Sequence, residues 1–277
     1  MYRSGDLHAK RVVEVSRRRG RRRHTQEVTW SGTAVIEPGR LIYGGRLGAA
    51  HGHSHAAVQI AIAADDPVLL TDSSGHSAQS RVGVIPSGAA HAVDAGAATG
   101  LMIYLDSASA YGRRVEALVD RTTRPEVDGW IAAAQRLSAD LPRSDDLAAA
   151  ADAVIAELVG PEKQVNAHAE THPAVSAAIT LIPDLLSGPV RLTDVAAAVH
   201  LSADRLGRLF ARDVGLSFPA YVRWARLIRA MEVARTGGTI TAAAHAAGFA
   251  DSSHANRAFH EMFGVAPIDV HRSVRLA

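Results

Sequence analysis

Histidines stand in this chain of 277 residues at spacings that could do chemistry. His51-Gly52-His53-Ser54-His55 alternates imidazole with small residues, and Gln59 follows. Residues two apart on a strand share a face. His51, His53 and His55 should therefore point one way, the last two at least into the interior. Further on, Pro86-Ser87-Gly88-Ala89-Ala90-His91 makes a turn and delivers His91 on an adjacent strand. Neutral imidazoles suit a divalent transition metal. The same cluster also suits a hydrogen-bonded lining of a polar pocket, and both readings stand at this point.

A second pattern lies near the end and repeats. The first copy runs Leu192-Thr193-Asp194-Val195-Ala196-Ala197-Ala198-Val199-His200-Leu201-Ser202, then Arg208-Leu209-Phe210 and Gly215. The second runs Ile240-Thr241-Ala242-Ala243-Ala244-His245-Ala246-Ala247-Gly248-Phe249 with Asp251, then Arg257-Ala258-Phe259 and Gly264. Each copy predicts a short Ala-rich helix, a tight turn, a polar N-cap and an amphipathic helix ending at Gly. That is the grammar of a helix-turn-helix. Ala196, Ala197, Ala243 and Ala244 are small enough for helices to cross closely. Gly248 suits a turn at positive φ, where His200 in the first copy is less comfortable. Thr193 and Ser202 are candidate N-caps. Phe210 and Phe259 should anchor the second helix of each copy.

The surrounding composition decides which surfaces suit which partner. Residues 1–28 carry nine Lys/Arg against three acids, residues 29–168 ten against sixteen, and residues 169–277 eleven against nine. An acidic middle disfavours DNA, while a basic start and a mildly basic end favour it. No cysteine is present, so disulfides and thiolate metal sites are excluded. That absence fits a cytoplasmic protein. No apolar run reaches the roughly 18 residues of a membrane helix, and no apolar core follows the basic start, so no membrane or secretory role is expected.

The elements that must position these residues follow from periodicity. Residues 1–27 read as a basic, solvated tail, or as an arm for non-specific phosphate contact. Val58–Ala63, Val68–Leu70, Arg81–Ile85 and Leu101–Leu105 are short apolar runs split by Gly, Pro, Asp and Ser, which predicts a small barrel or sandwich over 28–107. Trp30 and Tyr43 could line a pocket in it. From about Ser109 the period turns helical, with faces Val115/Leu118/Val119, Trp130/Ile131/Ala134/Leu137 and Val154/Ile155/Leu158. Asp145-Asp146 should start a helix and Gly160-Pro161 stop one. Region 108–168 is read as a helical dimerisation and linker segment, because its apolar faces exceed what a small barrel covers. Region 169–277 is read as the DNA-binding part. The fold class is thus α+β.

Residues 173–277 resemble the AraC/XylS family of bacterial transcription regulators. The match is carried by Ala-x-x-x-His200-Leu201-Ser202, Arg208-Leu209-Phe210, Gly215-Leu216-Ser217-Phe218-x-x-Tyr221, Arg226-Leu227, Ala247-Gly248-Phe249-x-Asp251 and Phe263-Gly264-Val265-x-Pro267. The resemblance implies two helix-turn-helix units whose recognition helices enter successive major grooves of double-stranded DNA. Arg205, Arg208, Ser253, His254, Asn256 and Arg257 are then the candidate DNA contacts, as against a plain solvated face. Arg suits guanine and Asn suits adenine. Arg223, Arg226 and Arg229 on the linking helix are left between phosphate contact and pairing with acids. One position departs from the family: Ala255 stands where a bulky apolar residue is usual.

The two histidine motifs resemble the cupin superfamily and the sensor domains attached to AraC-type domains. By that resemblance His53, His55 and His91 would be metal ligands, with Gln59 where the family has Glu. Gln is a weaker ligand and carries no charge. The expected protein is an effector-responsive transcription regulator, a homodimer that takes a small molecule or metal and, as an activator, contacts RNA polymerase. The alternative is a cupin-type metal-dependent enzyme with a helical partner-binding domain.

Overall fold

The computed structural model describes residues 30–138, 146–160 and 171–277. The tail at 1–27, Asp145, Pro161 and most of the linker expected at 161–172 lie outside the described residues.

The first half builds two sheets that pack face to face. One has six strands in the order β10-β1-β2-β9-β4-β7: β1 is Ser31–Glu37, β2 Arg40–Arg46, β4 Ala57–Ala63, β7 Val82–Ile85, β9 Thr99–Asp106 and β10 Val274–Leu276. The other has four in the order β3-β8-β5-β6: Ala49–His53, His91–Asp94, Val68–Asp72 and Ser77–Ser80. Neither sheet closes on itself: of the expected barrel or sandwich, the described residues show two open sheets. Every residue of β4 is buried, from Ala57 to Ala63. Both faces of this central strand are covered, which explains its nearly unbroken apolar run.

Three helices pack against these sheets: α1 (Ala110–Glu116), α2 (Val127–Ala133) and α3 (Leu147–Val159). Asp146 caps α3 through the Ala148 and Ala149 amides. Gly44 of β2 leaves room for Leu147, whose Cδ2 would be 2.4 Å from a Cβ there. Val115, Val119, Trp130, Ala134, Leu137, Val154, Ile155 and Leu158 are all buried within the one chain. The apolar faces that suggested dimerisation are therefore already covered by this chain's own sheets. Amphipathic periodicity shows that a face is buried, but not by what.

The second half is helical: α4 (Pro173–Leu185), α5 (Leu192–Ala198), α6 (Ala203–Val214), α7 (Phe218–Arg235), α8 (Ile240–Ala246), α9 (Ser252–Phe263) and α10 (Pro267–His271). It is not a free-standing unit. β10 lies parallel to β1, with Gly32 opposite Val274, and the Ala277 amide donates to the Ala34 carbonyl at 2.8 Å. No helix among the described residues is long and apolar enough to cross a membrane.

Candidate DNA-binding surface and histidine centre

Two helix pairs, α5–α6 and α8–α9, are related by sequence and by local geometry. Ser202 caps α6 by accepting from the Arg205 amide, and Asp251 caps α9 by accepting from the His254 amide. Both second helices end on a left-handed glycine, Gly215 and Gly264. The turns differ. His200 has φ 58°, the one non-glycine at positive φ among the described residues, whereas Gly248 has φ 77°. Gly248 is required twice over, since a Cβ there would sit 1.9 Å from the Leu186 carbonyl oxygen. Thr193 does not cap α5; the N-cap is Arg191, without a side-chain bond, and Thr193 donates to Asp194 instead.

The buried stripe of α6 is Leu206, Phe210 and Val214, with the Phe210 ring edge-on to Phe218 and Tyr221. In α9 the stripe is Ala255, Ala258, Met262 and Phe263, and Phe259 is only half-buried against Phe263. Arg205 and Arg208 are exposed on α6; Ser253, Asn256 and Arg257 are exposed on α9. Arg208 pairs with Asp204 at 2.7 Å, both three-quarters exposed, a contact worth little in water. His254 is half-buried, its ring on Phe249. On α7 the arginines divide: Arg223 pairs with Glu261, Arg229 with Glu232, and Arg226 donates to the Gly188 carbonyl with its guanidinium half-buried.

Ala255 lines an apolar cleft between the six-stranded sheet and the helices. Trp30, Tyr43 and Tyr104 form one wall; Met231, Phe259 and Phe263 form another, and Asn256 reaches its edge. Trp30 and Tyr43 thus do line a pocket together, but it faces the helices. Burial pushes the Tyr43 hydroxyl up to about 12, against a backbone hydrogen bond from Ser31.

His53, His55, His91 and Gln59 come together between the two sheets, all buried. One ring nitrogen from each histidine lies within 4.8 Å of the others. His51 does not join them. A register shift between Ala50 and His53 breaks the alternation of β3 and leaves His51 exposed. The tautomers follow from the partners. His53 Nδ1 faces the His51 carbonyl at 2.7 Å, His55 Nδ1 the Ala57 carbonyl at 2.8 Å, and His91 Nδ1 the Ala89 carbonyl at 2.9 Å. A carbonyl only accepts, so each Nδ1 carries the proton and each Nε2 offers a lone pair. That arrangement orients imidazoles for a metal.

The Gln59 amide oxygen lies 2.9 Å from His55 Nε2 and 3.2 Å from His91 Nε2. With these tautomers both contacts join acceptor to acceptor. Protonation does not relieve them: burial first, then repulsion from His55, pushes His53 down to about 3, and burial likewise lowers His55 and His91. Two remedies remain, a cation among the acceptors or rotation of the Gln59 amide so that its NH2 donates to both rings. The donor set, three imidazole nitrogens and an amide oxygen, fits a divalent transition metal.

Sequence reasoning missed the residues that the helical half brings to this centre. His260, Glu261, Met262 and Arg223 border the same cavity as His53, His55 and His91, a space of about 670 Å³. Nothing local in the sequence marks them, because docking of α9 creates the proximity.

Comparison with known proteins agrees with the helical half. Residues 195–273 match the family described as a helix-turn-helix domain. The transcriptional activator RhaR of Pectobacterium atrosepticum is 37% identical over 83 residues, 30% of this chain and 29% of that protein. The transcriptional regulator GbdR of Pseudomonas aeruginosa is 31% identical over 98 residues, 35% of this chain and 27% of that one. This chain thus spans under a third of the length of these curated relatives. A broader likeness is to ToxT from Vibrio cholerae, covering 83% of this chain and 96% of that one at TM-score 0.50 and 13% identity. An apo variant of ToxT gives 0.53, also at 13% identity, over 85% and 97%. These two share the fold of a sheet-rich first half and a helical second half. Residues 195–273 thus match a helix-turn-helix domain, and over this stretch the chain is similar to known transcription regulators.

Proposed function

We propose that this protein is a sequence-specific, DNA-binding transcription regulator. Residues 169–277 would read two successive major grooves of double-stranded DNA, with 28–107 as a cupin-like sensor and 108–168 as the helical segment between them. The observation that carries the reading is the duplicated exposed face, Arg205 and Arg208 on α6 and Ser253, Asn256 and Arg257 on α9, each behind a polar N-cap. A mobility-shift assay on DNA upstream of its own gene tests it. The parent should retard that DNA at salt where unrelated sequence is released, and Arg208→Ala and Arg257→Ala should not. Equal retardation of unrelated DNA would reject sequence-specific reading.

The effector belongs to the same reading. The histidine centre would hold a divalent transition metal through Nε2 of His53, His55 and His91, with Gln59 beside it; bound there, the ion supplies a fixed positive charge to a buried, all-acceptor cluster. The apolar cleft under Ala255 would take a small apolar molecule. Both touch elements that carry α9, so occupancy and DNA reading can be linked. Two chains would stand on paired half-sites, joined through surfaces other than the buried faces of α1–α3, and an activator would contact RNA polymerase from there. An enzyme is the weaker reading, because Gln59 brings no charge to a catalytic metal.

A further inference from the structure

The second recognition helix lies over a cleft that its own sequence opens. Ala255 is buried on α9 where the AraC/XylS pattern places a bulky apolar residue, and Ala243 and Ala244 of α8 face the same space. A small residue at a core position leaves a cavity wherever the surroundings cannot collapse into it. Here the opposite wall is a hydrogen-bonded sheet, with Ala34, Leu41, Tyr43 and Tyr104 on the adjacent strands β1, β2 and β9. The space between them is about 180 Å³. An apolar cavity of about 150 Å³ holds one benzene ring. Trp30, Tyr43, Tyr104, Phe259 and Phe263 give it aromatic walls, which suit a ring.

Three side chains on the sheet wall carry polar atoms. Trp30 Nε1 donates to the Ala49 carbonyl at 3.1 Å, and the Tyr43 hydroxyl to the Arg46 carbonyl at 2.5 Å. Tyr104 differs. It is only 8% exposed, its ring stands edge-on to His55 and Phe263, and its hydroxyl makes no hydrogen bond among the described residues. A buried hydroxyl without a partner is costly. Burial also raises its pKa far above the ordinary tyrosine value, so it remains a donor. No Lys or Arg lines the cleft among the described residues, and His271 at its rim is exposed. A carboxylate there would lose its water and gain no counter-charge. We propose that the cleft takes a small neutral molecule, a single ring bearing one carbonyl oxygen. The ring fills the place left by Ala255, and the oxygen accepts from Tyr104. The molecule completes the core beneath α9 and firms the helix that presents Ser253, Asn256 and Arg257. This narrows the small apolar ligand of the preceding reading and rests on it.

Acetophenone, α-methylstyrene and benzoate test it on the full chain. The first two share a shape, but only the first accepts a hydrogen bond through a carbonyl; the third is charged. Calorimetry should show one acetophenone per chain, α-methylstyrene bound about fivefold more weakly, and no benzoate. Tyr104→Phe should bind the first two alike and lose no thermal stability, since the hydroxyl it removes has no partner. Ala255→Phe should bind neither, melt higher than the parent, and protect the α9 amides from exchange as acetophenone does in the parent. Ala255→Val, a smaller step that the fold accepts more readily, should weaken acetophenone in the same direction. Undiminished acetophenone binding in both Ala255 variants would overturn the site, as would a parent that binds none of the three. Equal affinity of the parent for acetophenone and α-methylstyrene, or a loss of stability in Tyr104→Phe, would overturn the Tyr104 contact. Tighter benzoate would overturn the neutral ligand. Binding in the expected pattern without retardation of upstream DNA would keep this site and reject the regulator reading.

Discussion

In the first helix pair the turn passes through His200, the buried anchor is Phe210, and the exposed face stands clear of both sheets. In the second pair the turn passes through Gly248 pressed against Leu186, the anchor Phe259 is half-buried, and the far end of the helix is hydrogen-bonded to β3. The same sequence grammar has produced one unit with a fully buried anchor and another whose second helix is hydrogen-bonded to β3. A repeated motif fixes local geometry but not mechanical freedom. The second unit lines both the histidine cavity and the apolar cleft through α9 itself, whereas the first reaches only the cavity, through Leu216 just past the end of α6.

The two units should differ most at their anchors. Phe210→Ala should cost about 3–5 kcal/mol, and Phe259→Ala clearly less, by chemical denaturation of each variant. Equal losses would mean the two cores are alike after all. The turns come next. Gly248→Ala should cost roughly 2–4 kcal/mol, because positive φ and contact with the Leu186 carbonyl act together. Arg208→Ala and Arg257→Ala should each weaken operator binding by roughly 1–3 kcal/mol with thermal stability unchanged. If a bound ion stiffens only the second unit, adding cobalt should alter the penalty of Arg257→Ala and leave that of Arg208→Ala alone. The smallest effect belongs to His200→Gly. Relief of a left-handed histidine and the added freedom of the unfolded chain nearly cancel, so stability should move by under about 1 kcal/mol. A large loss there would show the His200 side chain holding the turn in some other way.

The helix pairs were legible because their determinants are local: alanines at the crossings, Ser202 and Asp251 as caps, glycines at 215, 248 and 264. Even the discomfort at His200 could be read from its place in the repeat. The strand segments were legible for the same reason. Closure was not: whether successive strands shut into a barrel depends on pairing between distant edges, and these sheets stay open. The bulge after Ala50, which turns His51 outward, has no sequence mark. Nor does β10, three residues whose partner lies more than two hundred positions earlier. His53, His55, Gln59 and His91 could be grouped through the cupin resemblance, but His260 could not, since only the dock of α9 brings it near.

That strand at 274–276 bears on whether the halves are interchangeable parts. Grafting 171–277 onto a different sheet would strip partners from the Glu261, Gly264 and Ser273 carbonyls and the Ala277 amide, all of which end on the first half's backbone. The helical part can be recognised alone in sequence, yet it is cut to fit one particular sheet. Chimeras of such proteins should therefore exchange β1 and β3 together with the helices they receive.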